Sequence, residues 1–209
     1  MKLQMKKHNC SGKLIAFCGL DGSGKTTQIN MLKAFLEEQG LDVYLTKQPT
    51  DFVRRSDIFR TYMDKENHDN YDYLALSLLC ASDRVQHSNM EILPALKSNK
   101  IVISDRYYYS CLANLLARGY ENQKWIYEIA ESIPQPDIVF FMDTDVETAV
   151  QRVRERPKEK DRYIDMELQY RLRDIFLKIA ESNHGIAVNT SNSVQDCFAS
   201  IKSAVCEVI

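Results

Sequence analysis

Gly19-Leu20-Asp21-Gly22-Ser23-Gly24-Lys25-Thr26-Thr27 is the stretch that decides how this 209-residue chain is read. It fits G-x-x-x-x-G-K-[ST], the phosphate-binding P-loop. Its flanks fit as well. Lys13-Leu14-Ile15-Ala16-Phe17-Cys18 reads as a short buried strand, and Gln28 to Gln39 as a helix with apolar residues at 29, 32, 35 and 36, stopped by Gly40. Glycines let backbone N–H groups approach phosphate oxygens, and the helix that follows adds the positive end of its dipole. On this reading Gly19, Gly22, Ser23, Gly24, Lys25, Thr26 and Thr27 cradle a nucleoside triphosphate. Lys25 reaches the β- and γ-phosphates and Thr26 ligates Mg²⁺. The competing explanation, a glycine-rich turn that matches by chance, has to account for both flanks as well.

Working outward, composition suits one enzyme domain. A 44% hydrophobic content can fill a core at this length, and a net charge of −2 offers no global basic field for nucleic acid or an anionic membrane. No apolar run reaches about 18 residues, so no span is expected. Met1 to His8 is basic but lacks the apolar centre of a signal peptide, and residues 1–12 are expected to be flexible, with a single domain over 13–209. Cysteines stand at 10, 18, 80, 111, 197 and 206 with no C-x-x-C pair. That spacing predicts reduced thiols in a cytoplasmic protein, with neither a disulfide framework nor a zinc site.

Strand and helix keep alternating. Residues 42–46, 101–104, 138–142 and 185–189 read as further strands, and their continuous apolar runs suit parallel strands buried on both faces. Helical stretches fall at about 52–64, 71–98, 106–118, 121–132, 145–155, 163–183 and 194–207. The rhythm predicts an α/β fold, a three-layer sandwich of the P-loop NTPase type whose five-stranded parallel sheet carries helices on both faces. Ligands in such sheets sit beyond the carboxyl ends of the strands. The residues there are the P-loop, Lys47-Gln48-Pro49-Thr50-Asp51, Asp105-Arg106-Tyr107 and Asp143-Thr144-Asp145.

These residues resemble the thymidylate kinase family over nearly the whole chain. The P-loop matches as Gly19, Asp21, Gly24, Lys25, Thr26, Thr27 and Gln28, and the Asp-Arg-Tyr at a strand end as Asp105, Arg106 and Tyr107. Ala81 to Arg84 with Pro94-Ala95-Leu96, Pro136-Asp137 with Asp143 and Asp145, and Asp161, Tyr163, Glu167, Leu168 and Gln169 follow in the family's order. The resemblance implies a homodimeric, Mg²⁺-dependent enzyme that makes ADP and dTDP from ATP and dTMP. It implies that Arg106 binds the acceptor's 5′-phosphate, where a planar guanidinium suits phosphate pairwise. Asp105 holds a metal-bound water or orients the site, Asp21 accepts from the sugar 3′-hydroxyl, and Arg84 hydrogen-bonds the base. Lys47, Cys80, Tyr107, Cys111, Asn114 and Tyr163 complete the acceptor site. Structural alternatives stand beside three of these roles: a loop-stabilising carboxylate for Asp21, an ion pair for Arg106 and a solvated helix face for Arg84.

Residues 152–163 are rich in cations, and Pro157 ends the preceding helix. They read as a solvated loop or as a lid over ATP. Gly22 stands where some relatives carry an arginine, so a lid arginine is expected at the γ-phosphate, with Arg152, Arg156 and Arg162 as equal candidates. The family usually stacks phenylalanine on thymine four residues before the helical arginine, and here that residue is Cys80. Tyr107, Tyr108, Tyr109, Phe52 and Tyr73 are the aromatics that could compensate. Three readings follow: thymidylate kinase, a related kinase for another nucleoside monophosphate or nucleoside, and a nucleotide-binding regulatory protein.

Overall fold

The computed structural model describes residues 1–68 and 70–209. Five strands, β1 (Lys13–Gly19), β2 (Val43–Lys47), β3 (Ile101–Asp105), β4 (Ile138–Asp143) and β5 (Ile186–Asn189), form one sheet in the order β2-β3-β1-β4-β5. Every pairing is parallel. Hydrogen-bonded on both sides, β1 occupies the centre and delivers the P-loop to the middle of the sheet's carboxyl edge.

The period of two along β1 builds two separate cores. Leu14, Ala16 and Cys18 face a layer that includes Leu112, Leu115 and Phe176. Ile15 and Phe17 face the opposite way, onto Ile29, Leu32, Ile201 and Val205. The elements above the first face are α4 (Tyr73–His87), α6 (Tyr108–Ala117) and α9 (Met166–Ser182); α1 (Lys25–Glu38) and α10 (Val194–Cys206) cover the second. Burial on both faces holds for β1, β3 and β4. It fails for β2 and β5, which lie at the sheet edges with Leu45 and Ile186 exposed.

Two expected helices are divided. The 52–64 stretch becomes α2 (Asp51–Arg54) and α3 (Asp57–Asp64), because Ser56 takes an extended backbone and its hydroxyl accepts from Phe59 N at 3.3 Å. The 71–98 stretch is α4, a π-helical turn at Ser88–Ile92 and α5 (Leu93–Lys97). Pro94 has no N–H to give the preceding turn, and the chain relieves the mismatch by widening just before it. Two short elements complete the order, α7 (Trp125–Ala130) and α8 (Val146–Arg154).

The N-terminal segment, expected to be flexible, is laid against the domain. Leu3 is buried and Leu3 N donates to Asn183 Oδ1 at 2.8 Å. Lys6 N donates to Ile133 O at 2.9 Å, and Lys6 O accepts from Gln135 N at 2.8 Å. Leu3 and Met5 carry this docking, since both join the first core. Residues 155–165 run from α8 to α9 without regular helix.

Candidate active site

Where β1 ends, backbone geometry takes over. Gly19, Gly22 and Gly24 have φ of 134°, 82° and 84°, a region that side chains disfavour. Gly22 has a second reason: a Cβ there would lie 2.0 Å from the carbonyl oxygen of Ala149 in α8. Lys25, only 6% exposed, folds back and donates to Leu20 O at 2.6 Å and Gly19 O at 3.2 Å. Burial drives its pKa down, Arg106 adds to this, and despite Asp21 and Asp105 it settles at about 7.

Arg106 follows β3 with φ 69°, a strained value for a side-chain-bearing residue. The strain is held by its surroundings: Arg106 N donates to Phe17 O at 2.8 Å and Ser104 Oγ donates to Arg106 O at 2.7 Å. The guanidinium is thereby aimed at the P-loop, giving hydrogen bonds to Gly19 O at 3.1 Å and Asp21 Oδ1 at 2.6 Å. Arg162 reaches the other oxygen of Asp21 at 3.0 Å. Burial alone raises the Asp21 pKa, but Arg106, Lys25 and Arg162 outweigh it and hold the carboxyl well below the usual range. Asp105 is linked to Lys47 at 3.4 Å through Oδ2, while its buried Oδ1 has no hydrogen-bond partner among the described residues.

Two cavities open at this edge of the sheet. One of about 340 Å³ is lined by Gly22, Ser23, Gly24, Lys25, Thr26, Thr27, Asp105 and Arg152. It continues to Thr190, Asn192, Val194 and Cys197 beyond β5, residues the sequence reading missed although they follow the fifth strand. The other, about 620 Å³, lies between α3, α4, α6 and the lid segment. Cys80, Arg84, Cys111, Asn114 and Tyr163 line it, as does Gly19, which had been expected on the triphosphate side. Asp21, Lys47, Arg106 and Arg156 border both.

A donor cavity at a P-loop, an acceptor cavity beside it and a charged seam between them describe a phosphotransferase. The family whose sequence model matches residues 17–201 is thymidylate kinase. A probable thymidylate kinase of Pyrococcus horikoshii is 36% identical over 93% of this chain and 96% of its own length. One from Thermococcus kodakarensis is 38% identical over 78% and 82%, and the thymidylate kinase of a Geobacillus species 34% over 95% and 98%. The chain belongs to the thymidylate kinase family.

Against the family pattern, Tyr107 is a correction. It is fully buried, its hydroxyl donates to Pro134 O at 2.7 Å, and it lines neither cavity. As the residue before α6 it has an extended backbone, which turns it off the helix face that carries Cys111 and Asn114. Tyr108 and Tyr109 are core residues and Phe52 is 77% exposed, so of the five compensating aromatics Tyr73 alone reaches the acceptor cavity. Arg118 Cζ lies 4.0 Å from its ring centroid. The charges after β4 are structural: Asp143 pairs with Arg173 at 2.6 Å, and Asp145 caps α8. Thr144 joins the loop scaffold instead, donating to Ser23 O at 3.4 Å.

Ser77, which sequence reasoning passed over, and Tyr73, one of its five candidate aromatics, share a face of α4 with Cys80 and Arg84, at offsets of seven and eleven residues. Projecting the helix from Arg84 would have found both. Asp83, on the same helix, accepts from Thr50 N at 2.8 Å and from the Thr50 hydroxyl, and so fixes the loop that carries Lys47 and Pro49.

Proposed function

We propose that this chain is a thymidylate kinase, transferring the γ-phosphoryl group of ATP to the 5′-phosphate of dTMP. The observation that carries the reading is the seam: four charged residues, Asp21, Lys47, Arg106 and Arg156, border the P-loop cavity and the acceptor cavity alike. A phosphate held from each side meets the other there, and approach of two anions requires this concentration of cations.

The acceptor phosphate needs no general base, because its second proton leaves at about pH 6. One of its oxygens attacks the γ-phosphorus, the bond to the β–γ bridging oxygen breaks, and ADP leaves with that electron pair. Lys25 turns from the loop carbonyls to the β- and γ-phosphates. Arg106 grips the acceptor phosphate in a forked contact, and Asp21 accepts from the sugar 3′-hydroxyl as its arginine partners turn to phosphate. Arg156 balances charge on the group in transit, and closure of the lid over 152–163 keeps water from the γ-phosphate. Thr26, with its hydroxyl, and Asp105, with its carboxylate, line the same cavity and offer hard oxygen donors, a set that suits Mg²⁺. When bound there, the ion neutralises β/γ-phosphate charge.

ADP release in a coupled assay tests this, with dTMP, dUMP, dCMP, dGMP and dAMP as acceptors. We expect dTMP to be preferred; equal, negligible rates with every acceptor sink the kinase reading. A second reading is favoured by one observation, the Cys80 thiol at the position of the usual stacking ring in a roomy cavity. It assigns a different or larger nucleoside monophosphate, and the same assay separates it. The cytoplasm and a symmetric homodimer, with 13–209 as one domain, complete the proposal. Exposed Leu78 and Met90 on the α4–α5 side support pairing, which elution as a monomer at micromolar concentration contradicts.

A further inference from the structure

Three residues lining the acceptor cavity have a buried polar atom with no hydrogen-bond partner among the described residues: Ser77 Oγ, Arg84 Nε and Arg162 Nε. Arg162 belongs to the lid end, where it is tied to Asp21. Ser77 and Arg84, each 2% exposed, stand together on α4. Burying polar groups unpaired is costly, so this pair points to a ligand.

Their spacing says which part of the ligand. Seven residues bring Ser77 and Arg84 onto one helix face, about two turns apart. Arg84 Nη1 donates to Cys80 O at 2.9 Å, so the guanidinium is folded back toward Ser77. What remains between them is three residues, about 4.5 Å of helix rise. A donor and a hydroxyl so placed suit two adjacent atoms on the edge of one planar ring. Opposite them, the Cys111 thiol is directed at Ser77 O at 3.9 Å, which leaves the Ser77 hydroxyl unengaged.

We propose that Ser77 is a specificity-determining residue whose hydroxyl accepts the N3–H of the acceptor base while Arg84 donates to the neighbouring O4. This rests on the thymidylate reading above. Arginine carries donors only, so it selects a carbonyl oxygen beside it and meets the cytosine amine donor to donor. Serine provides the acceptor that N3–H needs, and the thiols of Cys80 and Cys111 are weak substitutes. Thymine and uracil satisfy both groups at once; cytosine leaves the guanidinium facing another donor.

The experiment is a cycle between the protein (unaltered or Ser77→Ala) and the acceptor (dTMP or N3-methyl-dTMP, in which a methyl replaces the N3 proton and O4 stays a carbonyl). Turnover of dTMP by the unaltered protein is measured first, since its absence overturns the underlying reading and this inference with it. Given turnover, each single change is expected to lower kcat/KM about tenfold, the size of one hydrogen bond, and to do so through KM. Combining the two costs nothing further, and Ser77→Thr restores most of the loss on dTMP. Losses that multiply, or full activity of Ser77→Ala on dTMP, overturn the assignment. Should Ser77→Ala not fold, Ser77→Cys carries the same cycle with the same criteria, because a thiol is a poor acceptor.

Discussion

Lys25 gives its hydrogen bonds to the carbonyls of Leu20 and Gly19, and burial with Arg106 nearby lowers its pKa to about 7. An unfolded lysine titrates at 10.5. Between those values the unfolded chain holds more protons than the folded one, so this group's contribution to stability rises with pH across the window. Below it both states are charged and the contribution is least favourable. ATP restores the charge, so binding at a pH of about 8 is expected to take up protons, and affinity to fall as pH rises through the window. Calorimetry in two buffers of different ionisation enthalpy measures this, and zero uptake would contradict it. At the acceptor cavity the Cys80 thiol, pushed up to about 12 chiefly by burial, is neutral and offers no ring. Cys80→Phe is expected to raise kcat/KM for dTMP about tenfold, since a base–aromatic stack is worth ~1–3 kcal/mol. Steady-state kinetics with an unchanged or lower value would count against an under-packed pocket.

At the level of elements, the P-loop and α8 touch backbone to backbone. Gly22 has no room for a Cβ against Ala149 O, and Arg152 Nη1 donates to Gly22 O at 3.4 Å. The chain therefore cannot place an arginine at 22 without separating loop from helix, which supports the proposal that the lid supplies a further cation to the γ-phosphate. Gly22→Ala combines a left-handed backbone, about 1–2 kcal/mol, with that clash. We expect the thermal midpoint to drop by roughly 2–4 °C per kcal/mol lost, with weaker ATP binding. An unshifted melting curve would show that the two elements part at little cost. The same logic ties α4 to the loop after β2, where Asp83 holds Thr50 and the two ring nitrogens of His87 bond to Thr46 Oγ1 at 2.8 Å and Gln48 Nε2 at 3.0 Å.

Across the molecule, two cavities share one charged border. Arg156 and Arg152 separate there: Arg152 lines the P-loop cavity, Arg156 both, and Arg162 the acceptor cavity. In the proposed mechanism a residue acting on the group in transit stands on the shared border, where Arg156 lies. Arg156→Ala is accordingly expected to cut kcat about 10²-fold with a small change in the KM for ATP. Arg152→Ala should show the opposite pattern. Equal effects of both on KM alone would assign Arg156 to ground-state binding.

Sequence alone determined what local pattern can carry. The P-loop, its strand and its helix were legible because glycine conformation and hydrophobic period are properties of neighbouring residues. So were the five strands and their parallel direction, though not their order in the sheet, since apolar runs joined by helices favour parallel pairing. The same loop pointed to a cavity at its mouth, but not to Thr190, Asn192, Val194 and Cys197, which line it from beyond β5. Tertiary structure decided the acceptor side. Tyr107 falls one residue before α6 begins and is lost to the core, whereas Tyr73, one of five aromatics the sequence could not rank, and Ser77, which it did not single out, share the phase of Arg84. A shift of one residue rotates a helical side chain by about 100°. Which acid is held by an arginine, Asp143 and not Asp105, likewise depended on whether a distant helix brought one within reach. Phase and partner are set by packing between segments far apart in the chain, and no window of neighbouring residues contains them.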